Sequence, residues 1–89
     1  MSYHFPLYRR YLHGNTYYRI NSQENFDELM VIGKFFVLKN FQARILPEYQ
    51  LIIDLIDNAE DRWEIIEAED FDKKLDFCKT NLKEKKLDQ

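Results

Sequence analysis

The segment "YHFPLYRRYLHGNTYYRI", residues 3–20, sets up the N-terminal part of the fold. It contains five of the six tyrosines of the chain, both histidines and three arginines, and it has no acidic residue. Aromatic and β-branched residues favour strands, and Gly14 and Asn15 tolerate the positive φ of a tight turn. The segment therefore predicts a β-hairpin with strands over residues 5–12 and 16–20.

Two registers are available to this hairpin, and its charges distinguish them. A turn centred on residues 14–15 would set Arg10 opposite Arg19, and like charges that face each other across two strands are destabilising. A turn centred on residues 13–14 instead stacks each of these arginines against a tyrosine ring, which is a favourable cation–π arrangement. We expect the second register, whose pairs are Leu7–Ile20, Tyr8–Arg19, Arg9–Tyr18 and Arg10–Tyr17.

Successive side chains of a strand point to opposite faces, so this register assigns the hairpin side chains to two faces. The first, which we call the Tyr17 face, carries Tyr8, Arg10, Leu12, Tyr17 and Arg19. The second, the Ile20 face, carries Leu7, Arg9, Tyr11, Tyr18 and Ile20. If helices cover the Ile20 face, the Tyr17 face is exposed to solvent.

Residues 22–46 contain two further periodic segments. Ser22 is a good helix N-cap, and apolar residues at the i, i+3, i+4 spacing of one helical face follow it. These residues are Phe26, Leu29 and Met30, with Gly33 one turn later. The next segment is aromatic and β-branched, and its second half alternates apolar and polar residues. We therefore expect a helix over residues 22–33, ended by Gly33, and one long strand over residues 34–46.

Residues 47–58 fit both a helix and a strand. Pro47 and Glu48 suit the first turn of a helix, and an apolar helical face would follow. That face is Tyr49, Ile52, Ile53 and Ile56. The β-branched isoleucines favour a strand instead. We expect the helix and keep the strand as the alternative.

The C-terminal third is more regular. "WEII" at residues 63–66 predicts a short strand. The residues after it have acids in the first turn, lysines in the last and one apolar face, as is typical of a helix. That face is Phe71, Leu75, Cys78 and Leu82. Together the elements predict a single α+β domain over residues 1–89, with a mostly antiparallel sheet, helices packed on one face and a long C-terminal helix.

The composition indicates the cellular compartment of the protein and the kind of partner that it binds. The chain has one cysteine, so it forms no intramolecular disulfide, and a small domain without disulfides suggests a reducing compartment. The first residues lack the pattern of a signal peptide, and the longest apolar run, "FFVL", is too short to span a bilayer. We expect a cytoplasmic protein without a membrane partner.

No pattern in the sequence indicates catalysis or cofactor binding. His4 and His13 lie too far apart along one strand to share a metal ion, and Cys78 lies on the apolar face of the last helix, where a thiol is inert. The acids of residues 54–72 do not have the spacing of a calcium loop, and no phosphate-binding or hydrolase motif occurs. We expect no catalytic residue, no metal, no cofactor and no enzymatic activity.

The Tyr17 face is the candidate binding surface. Tyrosine and arginine are enriched at interface hot spots because each offers a large contact area with a polar group. We expect Tyr8, Arg10, Tyr17 and Arg19 to bind a protein partner or a second copy of the chain, as in a homodimer. Nucleic acid is the second hypothesis, because single strands stack on such side chains. The net charge of −3 disfavours it.

Overall fold

The computed structural model describes residues 4–58 and 60–86, which form a six-stranded sheet and two helices. The elements in chain order are β1 (Leu7–Tyr11), β2 (Thr16–Ile20), β3 (Asn25–Ile32), β4 (Phe35–Gln42), α1 (Leu46–Asp57), β5 (Trp63–Ile65), α2 (Ala68–Asn81) and β6 (Lys83–Glu84).

The strands lie in the order β5-β1-β2-β3-β4-β6. Neighbours are antiparallel except for β4 and β6, which pair in parallel over two residues. The predicted α+β class, with a mostly antiparallel sheet and a long C-terminal helix, is confirmed. Neither helix of the described residues is long and apolar enough to cross a bilayer.

The predicted hairpin and its register are confirmed. β1 pairs with β2 with Arg10 opposite Tyr17 and Tyr8 opposite Arg19, so no two arginines face each other. The guanidinium carbon of Arg10 lies 5.8 Å from the centre of the Tyr17 ring, as expected. That of Arg19 lies over the ring of Phe71 in α2 instead of a tyrosine ring. Repulsion between like charges and attraction between a cation and an aromatic ring therefore favour the register that the structure adopts.

The predicted helix over residues 22–33 is wrong, because β3 occupies most of that segment. β3 is a central strand whose two faces are both covered: Phe26 packs into one core cluster and Leu29 into the other. Burial on both sides removes the polar–apolar alternation that identifies a strand. Ser22 caps no helix, and its hydroxyl accepts a hydrogen bond from the Glu24 backbone N–H in the β2–β3 turn. Gly33 has a φ of +59° and occupies the first position of the two-residue β3–β4 turn.

The long strand is confirmed over β4 but ends at Gln42, four residues before the predicted boundary. The segment after it forms α1 and not the alternative strand. The Glu48 carboxylate reaches back to accept hydrogen bonds from the backbone N–H groups of Arg44, at 2.8 Å, and Ile45, at 3.1 Å. These bonds satisfy donors at the start of the helix and fix where it begins. Of the predicted apolar face, Ile53 is exposed, and Leu55 is buried in its place.

The two helices lie on opposite faces of the sheet, which corrects the expectation that both cover one face. Ile52 and Leu55 of α1 pack with Ile20 in one cluster. Phe71 of α2 packs with Tyr17 in the other. Successive strand residues point to opposite faces, so the Ile20 face carries α1 and the Tyr17 face carries α2. Both hairpin faces are rich in aromatic residues, so each can bury a helix.

Arg9 is the charged residue that the core encloses, with 7% of its surface exposed. Its guanidinium donates to the backbone carbonyls of Leu55 at 2.9 Å and Ile56 at 3.1 Å in the last turn of α1, and to that of Tyr8 at 2.8 Å. Burial lowers the pKa of Arg9, but a guanidinium remains protonated at neutral pH. Arg9 forms no ion pair with a described carboxylate. The negative end of the α1 dipole therefore compensates its charge.

Replacement of Arg9 by methionine tests this anchor. Arg9→Met keeps an unbranched apolar side chain but leaves the carbonyls of Leu55 and Ile56 without a donor, and we expect a loss of about 3 kcal/mol in the free energy of unfolding. Arg9→Lys is the matched control: it keeps the charge without the two-pronged geometry and should lose less. Urea unfolding followed by Trp63 fluorescence measures both. A loss under about 1 kcal/mol for Arg9→Met would contradict the anchoring role.

Asn58 joins the end of α1 to the edge strand β5. It ends the helix in the left-handed region with a φ of 49°. Its side-chain amide donates to the Trp63 carbonyl at 2.6 Å, and its amide oxygen accepts from the Trp63 N–H at 3.1 Å. The side chain thus occupies backbone groups of β5 that another strand would otherwise pair with, which protects this edge of the sheet.

Two substitutions separate the roles of Asn58. Asn58→Gly keeps the left-handed conformation but loses both bonds to Trp63, whereas Asn58→Ala loses the bonds and adds backbone strain. We expect Asn58→Ala to be the more destabilising of the two by about 1 kcal/mol in urea unfolding. Equal losses would show that the left-handed conformation of residue 58 costs alanine nothing.

Candidate functional site

The four predicted binding residues share one face, as expected, but α2 partly covers that face. Tyr8, Arg10, Tyr17 and Arg19 are all half-buried. The open surface expected for a hairpin with helices on its other face is therefore absent, and what remains is a groove beside α2. The four residues divide into two pairs with different environments.

Tyr8 and Arg19 face inward, towards α2. The Tyr8 ring lies 5.7 Å from the ring of Phe71, and the Arg19 guanidinium carbon lies 5.2 Å from the centre of the same ring. Arg19 also forms an ion pair with Asp27, whose Oδ2 lies 2.9 Å from Nη2 and 3.0 Å from Nε. Tyr8 and Arg19 therefore hold Phe71, the buried anchor of α2, against the sheet.

Arg10 and Tyr17 line an open groove between the hairpin and α2, with a volume of about 460 Å³. Its α2 wall includes Lys74 and Phe77, and Phe77 is half-exposed at 50%. The Lys74 ammonium lies 5.8 Å from the centre of the Tyr17 ring and 5.2 Å from that of Phe77. The groove thus combines two accessible aromatic rings with cations stacked on them.

The cations of the groove are unequally neutralised. Arg10 lies 3.6 Å from Glu64 in a long, partly exposed ion pair, and Lys73 lies 2.7 Å from Glu69. Asp70 accepts a hydrogen bond from the Glu67 backbone N–H at the start of α2. Within the described part of the chain, Lys74 forms no ion pair. The groove therefore retains positive charge next to its aromatic rings.

Lys74 and Phe77 are the residues that the sequence interpretation missed. Phe77 adjoins Cys78 of the apolar face of α2 but lies on the flank of the helix, and its side chain gains a role only when α2 docks on the Tyr17 face. The signal that could have identified it is an aromatic residue in excess of those that the helix needs for its buried face.

A second group of polar side chains occupies the Tyr17 face beyond α2. Asp27 is its centre: Arg19, Asn21 and Asn40 all donate to its carboxylate. Burial raises the pKa of Asp27, but these hydrogen bonds and the Arg19 charge outweigh burial and hold it below the ordinary value. Among the described residues no buried side-chain nitrogen or oxygen lacks a hydrogen-bond partner, so the network stabilises the strands and is not a vacant site.

On the Ile20 face, Tyr18 and Glu28 are half-buried cross-strand partners. Burial first, and then the Glu28 charge, raise the pKa of Tyr18 to about 12. Burial raises the pKa of Glu28, although its hydrogen bond with Tyr18 and the charge of Lys39 act in the opposite direction. An acid with a raised folded-state pKa favours folding below its unfolded-state pKa, and this contribution is lost as the pH rises through the folded-state value.

The direction of the Glu28 pKa shift predicts how Glu28→Gln changes the pH dependence of stability. Since glutamine does not ionise, the variant should gain stability relative to the natural chain as the pH rises from about 4 to 7. Urea unfolding at several pH values measures the difference. The matched control is Tyr18→Phe, which removes the hydroxyl and leaves the carboxylate, and should retain the pH dependence. A stability difference between Glu28→Gln and the natural chain that is flat over this range would contradict the raised pKa.

The remaining reactive side chains have structural environments. Cys78 is buried, and burial raises the pKa of its thiol, although the charge of Lys74 acts in the opposite direction. The His13 ring lies edge-on to Tyr11 at 5.8 Å, and His4 is exposed. Across residues 4–58 and 60–86, no three histidine, cysteine or acidic side chains form a group that could hold a metal ion.

Comparison of the chain with protein-family models, with curated proteins and with solved structures finds no match in any of the three. The functional interpretation therefore rests on the geometry of the groove.

Proposed function

We propose that the protein is a small, non-catalytic interaction module that binds a protein partner in the groove between the hairpin and α2. The observation that carries the proposal is the half-exposed Phe77 ring beside Tyr17, with Lys74 over both rings. Exposed aromatic rings in a concave, partly apolar surface are the usual anchors of a protein interface. We place the module in the cytoplasm, since its single cysteine is free and buried.

The four residues of the Tyr17 face have two roles in this proposal. Arg10 and Tyr17 contact the partner directly, because they line the groove. Tyr8 and Arg19 do not contact the partner; they hold Phe71, and with it α2, in place. Lys74 and Phe77 complete the binding surface.

The charge of the groove indicates the chemistry of the partner. Among the described residues Lys74 forms no ion pair, and the ion pair of Arg10 is its long contact with Glu64. A carboxylate of the partner can displace that contact and meet both cations, while an apolar side chain packs on Phe77. The preferred partner segment therefore carries an acidic and an apolar residue close together.

Single-stranded nucleic acid is the second candidate for the same groove. The observation in its favour is the combination of Arg10, Lys73 and Lys74 with two accessible rings, which could take phosphates and bases together. Against it stand Glu64 and Asp70 in the same groove and the net charge of −3. Few phosphates could be neutralised there, so affinity would be low at physiological salt.

Selection from a random peptide library displayed on phage, followed by anisotropy titration of the enriched peptides, tests the proposal. We expect peptides with acidic and apolar residues, and a loss of affinity of about tenfold or more in Arg10→Glu/Lys74→Glu and in Phe77→Ala, which removes an anchor ring. The matched control, Arg44→Glu/Lys79→Glu, makes the same charge change on exposed residues outside the groove and should bind as the natural chain does.

Three results would count against the peptide-binding groove. They are the absence of any enriched peptide, equal binding by the groove variant and its control, and tighter binding of random single-stranded RNA or DNA than of any peptide. The last, with affinity that falls steeply between low and physiological salt, would favour the nucleic-acid alternative.

A further inference from the structure

Helix α1 packs on one half of the Ile20 face of the sheet and not on the other, which we call the uncovered half. The cluster around α1 includes Ile20, Phe26 and Trp63, which lie on the strands at one end of this face. Strand partners share a face, and the pairs Thr16–Met30 and Met30–Val37 continue the same face towards the β3–β4 turn. These three residues belong to neither core cluster, so α1 does not extend over this end. Val37 is nevertheless only 6% exposed, and Thr16 and Met30 are half-buried, so the open part of this half is the end next to the β3–β4 turn.

Next to the β3–β4 turn, the uncovered half exposes both large apolar side chains and lysines. Ile32 and Phe35 are a strand pair that flanks the β3–β4 turn, and they are 54% and 46% exposed. Lys83 of β6 pairs with Phe35 and therefore lies on the same face, and Lys34 lies in the turn itself. Both lysines are exposed, and neither forms an ion pair with a described acid. We call residues 32–35 with Lys83 the basic tip.

α1 has the opposite charge and lies on the same side of the molecule. It carries Glu48, Asp54 and Asp57 and no basic residue. Its solvent side also exposes large apolar side chains, and a notch of about 140 Å³ lies beside Leu51, between the helix and Phe41 of the sheet. One side of the sheet thus presents an acidic, partly apolar helix next to a basic, partly apolar tip.

We infer that a second copy of the chain covers this side, in a two-fold symmetric dimer that places α1 of each copy on the basic tip of the other. A two-fold axis brings a surface against itself, so a surface with an acidic half and a basic half is complementary to its own rotated copy. Packing of α1 against α1 would instead oppose like charges. The dimer buries Ile32 and Phe35, which are the exposed apolar pair of the tip.

This dimer is independent of the proposed groove, because the groove lies on the Tyr17 face and the dimer uses the Ile20 face. A dimer would present two grooves on its outer sides. Two linked sites gain avidity for a partner that carries two copies of the recognised segment, without any new contact.

Sedimentation velocity with a charge-exchange pair tests the dimer. The first variant, Lys34→Glu/Lys83→Glu, makes the tip acidic. The second, Gln50→Lys/Ile53→Lys/Asp54→Lys, replaces exposed residues of α1 and changes the formal charge of the helix from −3 to +1. We expect the natural chain to dimerise, and each variant alone to weaken dimerisation about tenfold or more, because both of its contacts join like charges. An equimolar mixture should restore dimerisation, because both contacts then join opposite charges.

Phe35→Ser provides a second, apolar test at an exposed site and should also weaken the dimer. Circular dichroism verifies that each variant is folded. A natural chain that stays monomeric up to about 1 mM would overturn the inference. So would a variant that dimerises as the natural chain does, or a mixture of the two charge variants that stays monomeric. Because all substitutions lie outside the groove, peptide binding should be the same in every variant.

Discussion

The bond between the buried Arg9 guanidinium and the last carbonyls of α1 is the constraint on which the arrangement of this protein depends. Arg9 reaches from β1 in the sheet to the carbonyls of Leu55 and Ile56, and so fixes where α1 ends. Asn58 follows at once and fixes β5 beside β1. β5 then leads into α2. The placement of α2, and with it the groove, therefore follows from how α1 is anchored on the opposite face.

Strand alternation makes β1 serve both faces. Arg9 points to α1, while its neighbours Tyr8 and Arg10 point to α2. Two adjacent arginines thus have different environments, one buried against helix carbonyls and one half-exposed in a groove. The amino-acid composition does not distinguish these two arginines. Their difference comes from the register of a single hairpin, since a shift of one residue would exchange the two faces.

The sequence was sufficient to predict the fold where the interactions that determine it are local. Like-charge repulsion between Arg10 and Arg19 selects the hairpin register, and the periodic apolar face predicts α2. The sequence was misleading where burial depends on distant elements. β3 packs against α1 at Phe26 and against α2 at Leu29 on the opposite face. Its apolar residues therefore do not alternate, and these two imitate a helical spacing although they point to opposite sides.

The same limit applies to the candidate site. The two faces of the hairpin follow from its register, so the sequence is enough to place Arg10 beside Tyr17. The sequence does not identify Lys74 and Phe77 as part of the site, because they reach Tyr17 only through the packing of α2. Their role depends on a contact between segments nearly sixty residues apart in the chain (Tyr17 and Lys74), for which the local pattern carries no signal. Recognition in this groove is therefore a property of the docked helix as much as of the hairpin.

The most direct measurement of the central proposal is a ¹⁵N chemical-shift titration of the natural chain with the tightest peptide from the library selection. Binding in the groove predicts that the largest shift changes are at the backbone amides of Arg10, Tyr17, Lys74 and Phe77, with little change along β3, the central strand. Shift changes centred on α1 or on the β3–β4 turn, with the groove unchanged, would contradict the groove as the recognition surface.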